Sequence, residues 1–369
     1  MFDHQRPALR ALAAVSPSVV RRNDFFRALG HGAQRAPSLG RVWTVPDEST
    51  LTDFEREMLP YLSDPFRGTV ERRVLGPGES SLTLLVDAGR RALAAANLRA
   101  SDVDALLCAS FPSGQVGIGE AAFVARELGL RGSSLNVESA CASALVALDM
   151  AASLVASGRH QRVLVVTACT YSRVCPPDDS LSWTIGDGAA AFVVEASRQG
   201  AAVLGAYNTH TAESCDALSY AIDPTVEDSG MRMKTFEGAR TALRDGAERT
   251  VPECCNGALR AAGVRIEDIA LVVPNTPTAW FAAFVARKLG VDRVRVVDTY
   301  PRYANIGPAL WPTGLHRAAL ERRLSPGDLV LLYAVGSVAS AAAAVIRWGD
   351  VAIAADDRAH AAEFAPSQL

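Results

Sequence analysis

The sequence predicts an α/β protein in which two pseudo-symmetric halves stack as α/β/α/β/α layers. Three observations lead there: an internal repeat, strand patterns alternating with helix patterns in both halves, and a helix of small apolar residues in the first half. The repeat is the strongest. Ala92 to Ser110 (ALAAANLRASDVDALLCAS) aligns without a gap with Ala258 to Thr276 (ALRAAGVRIEDIALVVPNT). Each segment ends a helix, turns at Asn97 or Gly263, repeats an Arg and an Asp three apart, and enters an apolar strand. Phe123 to Leu130 (FVARELGL) and Phe284 to Val291 (FVARKLGV) follow in the same order at nearly the same offset. Two ordered matches point to duplication of an α/β unit.

The other elements fit that scheme. Leu135 to Val137 reads as a short strand, and Ala142 to Ala156 as a helix apolar nearly all round, hence buried. Gln161 to Thr167 and Ala189 to Glu195 read as strands, with a Gly186-Asp187-Gly188 turn before the second. In the second half, Arg293 to Val297 reads as a strand, Pro312 to Leu324 as a helix and Leu329 to Ala334 as a strand after the Ser325-Pro326-Gly327-Asp328 turn. Strands alternating with helices imply mostly parallel sheets covered on both faces. A short helix begins near Phe25 with Asn23 or Asp24 as its cap. The halves are placed at residues 1–200, with an insertion at about 28–64 holding one amphipathic piece, Leu51 to Leu62, and at 201–350; residues 351–369 read as a tail.

Composition bounds the function. The 369 residues carry 37 Lys and Arg against 40 Asp and Glu, a net charge of −3, so no global field favours nucleic acid or an anionic membrane. The 7% aromatic content and the scarcity of Lys also argue against a nucleic-acid groove. Pro7, Arg10 and Ser16-Pro17 interrupt the N-terminal segment, so no signal peptide is expected, and the apolar run Val338 to Ile346 is too short to span a bilayer. Seven cysteines at these spacings match no disulfide framework and no zinc site, which points to the reducing cytoplasm. Six of them, all but Cys141, read as small buried hydrophobes.

Cys141 lies where a strand ends, a short turn follows and a helix of small residues opens: Asn136-Val-Glu-Ser-Ala-Cys-Ala-Ser-Ala-Leu145. Free N–H groups and the positive end of a helix dipole would lower a thiol pKa there, and small neighbours would admit a substrate. Local context alone leaves two readings open, a reactive thiolate and a packed core cysteine. The repeat adds weight to the first. In the second half the equivalent loop, Asp298 to Pro308, carries Asn305, so the two loops would meet at the centre of the duplicated fold.

NVESACASALVALDMAASLVASG, Gly186-Asp187-Gly188, Val273-Pro274, the Asn305 loop and PGDLVLLYAVGS together resemble the β-ketoacyl-acyl-carrier-protein synthase III branch of the thiolase superfamily. The resemblance runs from about Val70 to Trp348 and is weakest across Ala28 to Asp64. It implies a thiolase-like fold, a two-fold homodimer, and a Cys, His and Asn active site. Cys141 matches the Cys and Asn305 the Asn. The His normally follows a Val-Pro pair, and here that place holds Asn275. An amide donates a hydrogen bond but cannot shuttle a proton. The resemblance further implies an oxyanion hole from the Cys141 N–H and the Gly336 to Val338 loop, and a carrier-cofactor contact at Arg173. His210 could replace the missing base or be a loop histidine; Glu138 could be catalytic or cap the Cys141 turn. His316 falls on a helix face expected to be partly exposed.

The implied activity is acyl transfer. Cys141 would take an acyl group from coenzyme A or a phosphopantetheine-linked acyl carrier protein. The missing His favours passing it to an alcohol, amine or thiol, a small-molecule acceptor in specialised metabolism. Decarboxylative condensation with a malonyl thioester, as in polyketide assembly, is the alternative, with Asn275 and Asn305 donating to the enolate. A third reading is a non-catalytic subunit paired with an active homologue. No permanently bound cofactor, metal, nucleic acid or membrane is expected.

Overall fold

A computed structural model of the chain describes residues 6–29, 51–197, 201–215, 217–222, 231–235, 238–336 and 339–356. Fourteen strands lie in those residues: β1 (Arg6–Val15), β2 (Val19–Arg22), β3 (Glu71–Val74), β4 (Ala105–Phe111), β5 (Ser133–Asn136), β6 (Arg162–Thr170), β7 (Asp187–Ser197), β8 (Ala202–His210), β9 (Leu218–Ile222), β10 (Met231–Thr235), β11 (Ile269–Pro274), β12 (Leu329–Gly336), β13 (Ser340–Arg347) and β14 (Ala352–Ile353). Two sheets carry the fold. One has the order β14-β1-β7-β6-β4-β5 and the other β11-β12-β13-β8.

The two sheets sandwich a helical layer and are themselves covered by helices. In β12, Val330, Leu332 and Ala334 face the same cluster as Leu145 and Leu148 of the helix Ser143–Ala156 and Trp311 and Leu315 of the helix Leu310–Leu320. Leu107, Val163, Val165 and Phe192 of the first sheet close that cluster from the other side. The alternate residues of β12, Leu331, Tyr333 and Val335, face outward onto the helices Ala239–Ala262 and Phe281–Leu289. The outer face of the first sheet packs on the helices Ser81–Ala95 and Ala121–Leu128. A continuous apolar run with both faces buried is therefore what each central strand needs, and the result is the five-layer arrangement the sequence predicts.

The repeat is visible in detail. β4 and β11 are preceded by 3-10 turns at Ala100–Asp102 and Ile266–Asp268. Asp102 accepts the Arg99 N–H at 2.8 Å and Asp268 accepts the Arg265 N–H at 2.9 Å, so the repeated Arg and Asp do the same work twice. The helices that follow end at Gly129 and Gly290, both with positive φ, where a Cβ would be strained.

Several expectations are corrected. The sheets are mixed, not mostly parallel: β12 pairs antiparallel with β13, whose connection is too short for a parallel crossover, and β6 with β7, whose connection holds 3-10 turns and no crossover α-helix. Arg293–Arg295 is a 3-10 turn, with a single bridge from Val296 to Val272 where a strand was expected. The helix Asn23–Ala28 is capped by Arg22 with no side-chain bond, because Asn23 bonds the Thr69 carbonyl and the Arg72 guanidinium. Asp187 opens β7 rather than sitting in a turn. His316 is fully buried, its Nε2 donating to the Ala354 carbonyl. The start of the tail is ordered, since β14 extends the first sheet beside β1; residues 357–369 lie outside the described residues. Cys215 is exposed, unlike the five other cysteines read as core.

Of the insertion, residues 30–50 lie outside the described residues. Asp53–Met58 is a helix with a Thr52–Glu55 capping box. Phe54 packs among Trp280, Phe281 and Phe284, and Lys288 pairs with both Asp53 and Glu248, so this piece covers the outer helices of the second sheet.

The central helix is the element on which both sheets close. Leu148→Ala removes a fully buried side chain from that layer, and it should lower unfolding stability by about 2–5 kcal/mol. Ser153→Ala, on the exposed face of the same helix, should stay within about 0.5 kcal/mol of the parent. Urea unfolding of both variants checks the contrast; equal midpoints would contradict the layered packing.

Candidate active site

The chain approaches Cys141 from β5 through a tightly bonded turn. Ser139 N–H donates to Ser143 Oγ at 2.7 Å, and Ser143 Oγ–H donates to the Ala140 carbonyl at 2.7 Å. Ala140 has a φ of 47°, a left-handed conformation that a non-glycine residue holds only when its surroundings force it. Glu138 accepts the Ala140 N–H at 2.9 Å, so its carboxylate ties down this turn. Cys141 sits in the 3-10 turn Ala140–Ala142, and the α-helix begins after it, at Ser143. Gly336 backs the turn from the second half. A Cβ there would lie 2.3 Å from the Ser139 carbonyl oxygen, so only glycine fits. Ser139 and Ser340 share a short hydroxyl contact beside it. Ser337 and Val338, the rest of the expected oxyanion loop, lie outside the described residues.

The Cys141 sulfur is within 3.4 Å of the Tyr171 hydroxyl. Burial pushes this thiol up to about 11, the Tyr171 hydrogen bond pulls the other way, and the Glu138 charge raises it further. This corrects the expectation of a lowered value. The cysteine is one turn short of the α-helix, no cation is among the groups acting on it, and desolvation outweighs what the peptide dipoles supply.

Asn275 comes to this turn, and Asn305 lies two residues before Gly307, the other carbonyl that Asn275 bonds. Asn275 is buried, and its side chain joins three backbone segments. Nδ2–H donates to the Cys141 carbonyl at 2.9 Å and to the Gly307 carbonyl at 3.3 Å, while Oδ1 accepts the Trp311 N–H at 3.1 Å. The expected donor to substrate is thus occupied in holding the Cys141 turn against the second half. Asn305 follows Ala304, whose φ is 55°. Its backbone bonds Thr184 and Gly186 from the first half, at 3.0 and 2.9 Å. Its Oδ1 accepts the Gly307 N–H at 2.9 Å, and Nδ2 has no bond among the described residues.

Tyr171 was not singled out by sequence reasoning. It opens the 3-10 turn Tyr171–Arg173 at the end of β6, and the only sequence signal was its place two residues before Arg173. The buried Asp187 fixes that turn. It accepts Ser172 N–H at 2.9 Å, Ser172 Oγ–H and Leu75 N–H at 2.8 Å, and burial pushes its own carboxyl up to about 6. Arg173 is exposed at the far end of the turn. His210 is exposed at the end of β8, with Nδ1 accepting the Ala212 N–H, which is the loop-histidine arrangement. A cavity of about 370 Å³ lies beside the site, lined by Ser110, Phe111, Gln115, Ile118, Asn136 and Glu138 among others. Among the described residues no group of three His, Cys, Asp or Glu could hold a metal ion.

Comparison with known proteins places this geometry. The family model for 3-oxoacyl-[acyl-carrier-protein] synthase III matches residues 135–212, and the model of its C-terminal part matches residues 259–348. The β-ketoacyl-[acyl-carrier-protein] synthase III of Roseiflexus castenholzii is 30% identical over 333 residues, covering 86% of this chain and 99% of the relative. That of Aquifex aeolicus is 28% identical over 307 residues, covering 82% and 96%. Among solved structures, the Thermus thermophilus synthase III superposes with a TM-score of 0.75 at 26% identity, covering 93% of this chain and 99% of that one. Cerulenin-bound OleA of Xanthomonas campestris superposes with a TM-score of 0.75 at 21% identity, covering 94% and 98%, and speaks for the shared fold. The chain has the thiolase fold and belongs to the β-ketoacyl-[acyl-carrier-protein] synthase III family of acyl-transferring enzymes.

Proposed function

We propose that this protein loads an acyl group from acyl-CoA or an acyl carrier protein onto Cys141 and passes it to an alcohol, amine or thiol in cytoplasmic specialised metabolism. The observation that carries the reading is Asn275. The family's proton-shuttling His is replaced by an amide whose Nδ2 and Oδ1 are already engaged with backbone at Cys141, Gly307 and Trp311. Decarboxylation of a malonyl thioester leaves an enolate that needs hydrogen-bond donors, and Asn275 has its donors engaged with backbone, whereas thioester exchange needs a nucleophilic sulfur and donors to the tetrahedral oxyanion. We take the backbone N–H groups of Cys141 and Gly336 as those donors, and Nδ2 of Asn305, which bonds nothing among the described residues, as the group facing substrate. Arg173, exposed beyond Tyr171, is the candidate contact for the carrier's phosphates.

A second reading is decarboxylative condensation. The names of the relatives favour it, since they are β-ketoacyl-[acyl-carrier-protein] synthases III. Incubation with a panel of acyl thioesters, followed by intact-protein mass spectrometry, separates the readings. One acyl mass should add to the protein and none to Cys141→Ala. Malonyl thioester should release no carbon dioxide. Release at a rate comparable to acyl loading would establish condensation instead. No adduct with any thioester would leave the non-catalytic partner subunit as the better account.

The role of Asn275 has its own test. Asn275→Ala strands two buried carbonyls and one N–H, which should cost about 1–3 kcal/mol in urea unfolding. Unchanged stability with a lost second step would instead make Asn275 a donor to substrate.

We take the working unit to be a homodimer joined along β5. This strand is the edge of its sheet and carries Leu135, 48% exposed; the loop between β4 and the helix Ala121–Leu128 shows Val116 and Ile118 at 64% and 68%. An apolar edge strand of this kind needs cover, and a second copy of itself supplies it. Sedimentation equilibrium at micromolar concentration should give a dimer, and Leu135→Lys should shift it to monomer. A monomeric parent protein would refute this.

A further inference from the structure

Acyl transfer takes a proton from the Cys141 thiol in loading and from the acceptor in unloading, so a group beside the sulfur that relays protons speeds both steps. Three histidines lie among the described residues, and each is engaged elsewhere or peripheral. His316 is buried against Ala354, His210 is exposed beyond β8, and His160 lies in the turn before β6. Asn275 and Asn305 are amides. The side chain that touches Sγ is Tyr171, whose hydroxyl is 3.4 Å away.

Its position is fixed from several directions. The ring is buried, 3% exposed, and meets Phe111 edge-on at 5.9 Å between centroids. The Tyr171 carbonyl accepts the N–H groups of Val174 and Cys175, each at 3.0 Å. Its neighbour Ser172 is bonded twice to the buried Asp187. On the far side lies the loop of Asn305: a Cβ at Gly307 would come within 3.5 Å of the Tyr171 hydroxyl and 2.9 Å of the Cys169 sulfur. Gly307 therefore lets the loops of both halves close around one hydroxyl and one thiol.

We propose that Tyr171 is a catalytic residue whose hydroxyl relays protons to and from the Cys141 sulfur during acyl transfer. The proposal rests on the acyl-transfer reading above. In loading, the Sγ–C bond forms as the donor's C–S bond breaks. The thiol proton passes to Tyr171 Oη while the phenolic proton passes to the departing carrier sulfur, which leaves as a thiol. In unloading, the acceptor X–H attacks the thioester. The X–C bond forms and the Sγ–C bond breaks. The acceptor's proton passes to Oη, the phenolic proton passes to Sγ, and both side chains return to their starting state. No oxidant, reductant or metal is consumed.

Tyr171→Phe keeps the ring and removes the relay. Protein acetylated with acetyl-CoA and freed of excess donor is treated with N-acetylcysteamine as acceptor, and loss of the acetyl mass is followed in time. Unloading should be about 100-fold slower in the variant, within the usual range for general acid–base catalysis. Iodoacetamide alkylation of Cys141 is measured in parallel from about pH 7 to about pH 10 on unacylated protein. Losing a hydrogen bond to the thiolate should displace the profile to higher pH, so that alkylation near pH 8 slows roughly tenfold for one pKa unit. A merely structural tyrosine would leave that profile in place, so a coincident profile overturns the proposal whatever the unloading rate. If the parent protein takes up no acyl group from acetyl-CoA or the wider thioester panel, the acyl-transfer reading fails, while the alkylation profile still decides whether Tyr171 governs the sulfur.

Discussion

The three hydrogen bonds of Asn275 hold the Cys141 turn to the second half of this fold. The Cys141 turn belongs to the first half, and Gly307 and Trp311 belong to the second. One buried amide, with one acceptor and a two-proton donor, ties all three backbones. It sits at the end of β11, the strand equivalent to β4, so its position follows from the duplication itself. A buried amide with every bond made rigidifies its surroundings, whereas one with a bond missing would be costly. The Cys141 turn is thus held by polar bonds where the layers below it are held by apolar packing.

That construction has an electrostatic consequence. A thiol surrounded by protein, without a cation and with Glu138 close by, is held as a thiol at neutral pH. A His in place of Asn275 could lower the barrier by accepting its proton. Here the sulfur instead faces a tyrosine hydroxyl, a group that gives and accepts hydrogen bonds without a net charge. A neutral pair is cheaper to bury than a thiolate and imidazolium pair, because neither member forfeits ionic solvation in the resting state. The cost moves to the reaction coordinate, where charge develops only transiently.

Much of this was legible in the sequence, because duplication writes itself twice. The Arg and Asp of each 3-10 turn, the strand entry and the positive-φ glycine after each helix all recur, and each proves to be a local bond or a conformational requirement. The repeat pairs the Asn305 loop with the Cys141 loop, and Asn275 does bond both, at the Cys141 and Gly307 carbonyls. What escaped was tertiary. Tyr171 has no local pattern, and its meaning comes from the Cys141 sulfur thirty residues earlier in the chain. Arg293 to Val297 has a strand's composition, yet the chain makes one bridge there and turns, since sheet membership depends on a neighbour that only the fold provides. His316 was expected at the surface, but β14 folds back beside its helix and buries it. The lowered thiol value was inferred from a helix terminus, and it failed because the helix begins two residues later and burial outweighs the dipole.

The glycines at the site show how little freedom the arrangement leaves. Gly336 lies where any Cβ would strike the carbonyl of Ser139, and Gly307 where one would meet the Cys169 sulfur. Both are in the second half and both press on the half that carries Cys141. At Gly336 the approach is set by backbone against backbone, and at Gly307 by the buried side chain of Cys169. Any substitution at Asn275 acts on that same contact, because its amide bonds the Cys141 carbonyl and the Gly307 carbonyl together. Chemistry and architecture are coupled at this one residue. Restoring an imidazole there would supply a base, but a ring with two nitrogens cannot reproduce a forked amide donor and an acceptor to Trp311 at once. The occupied amide of Asn275 and the tightness of the Cys141 turn are therefore one feature.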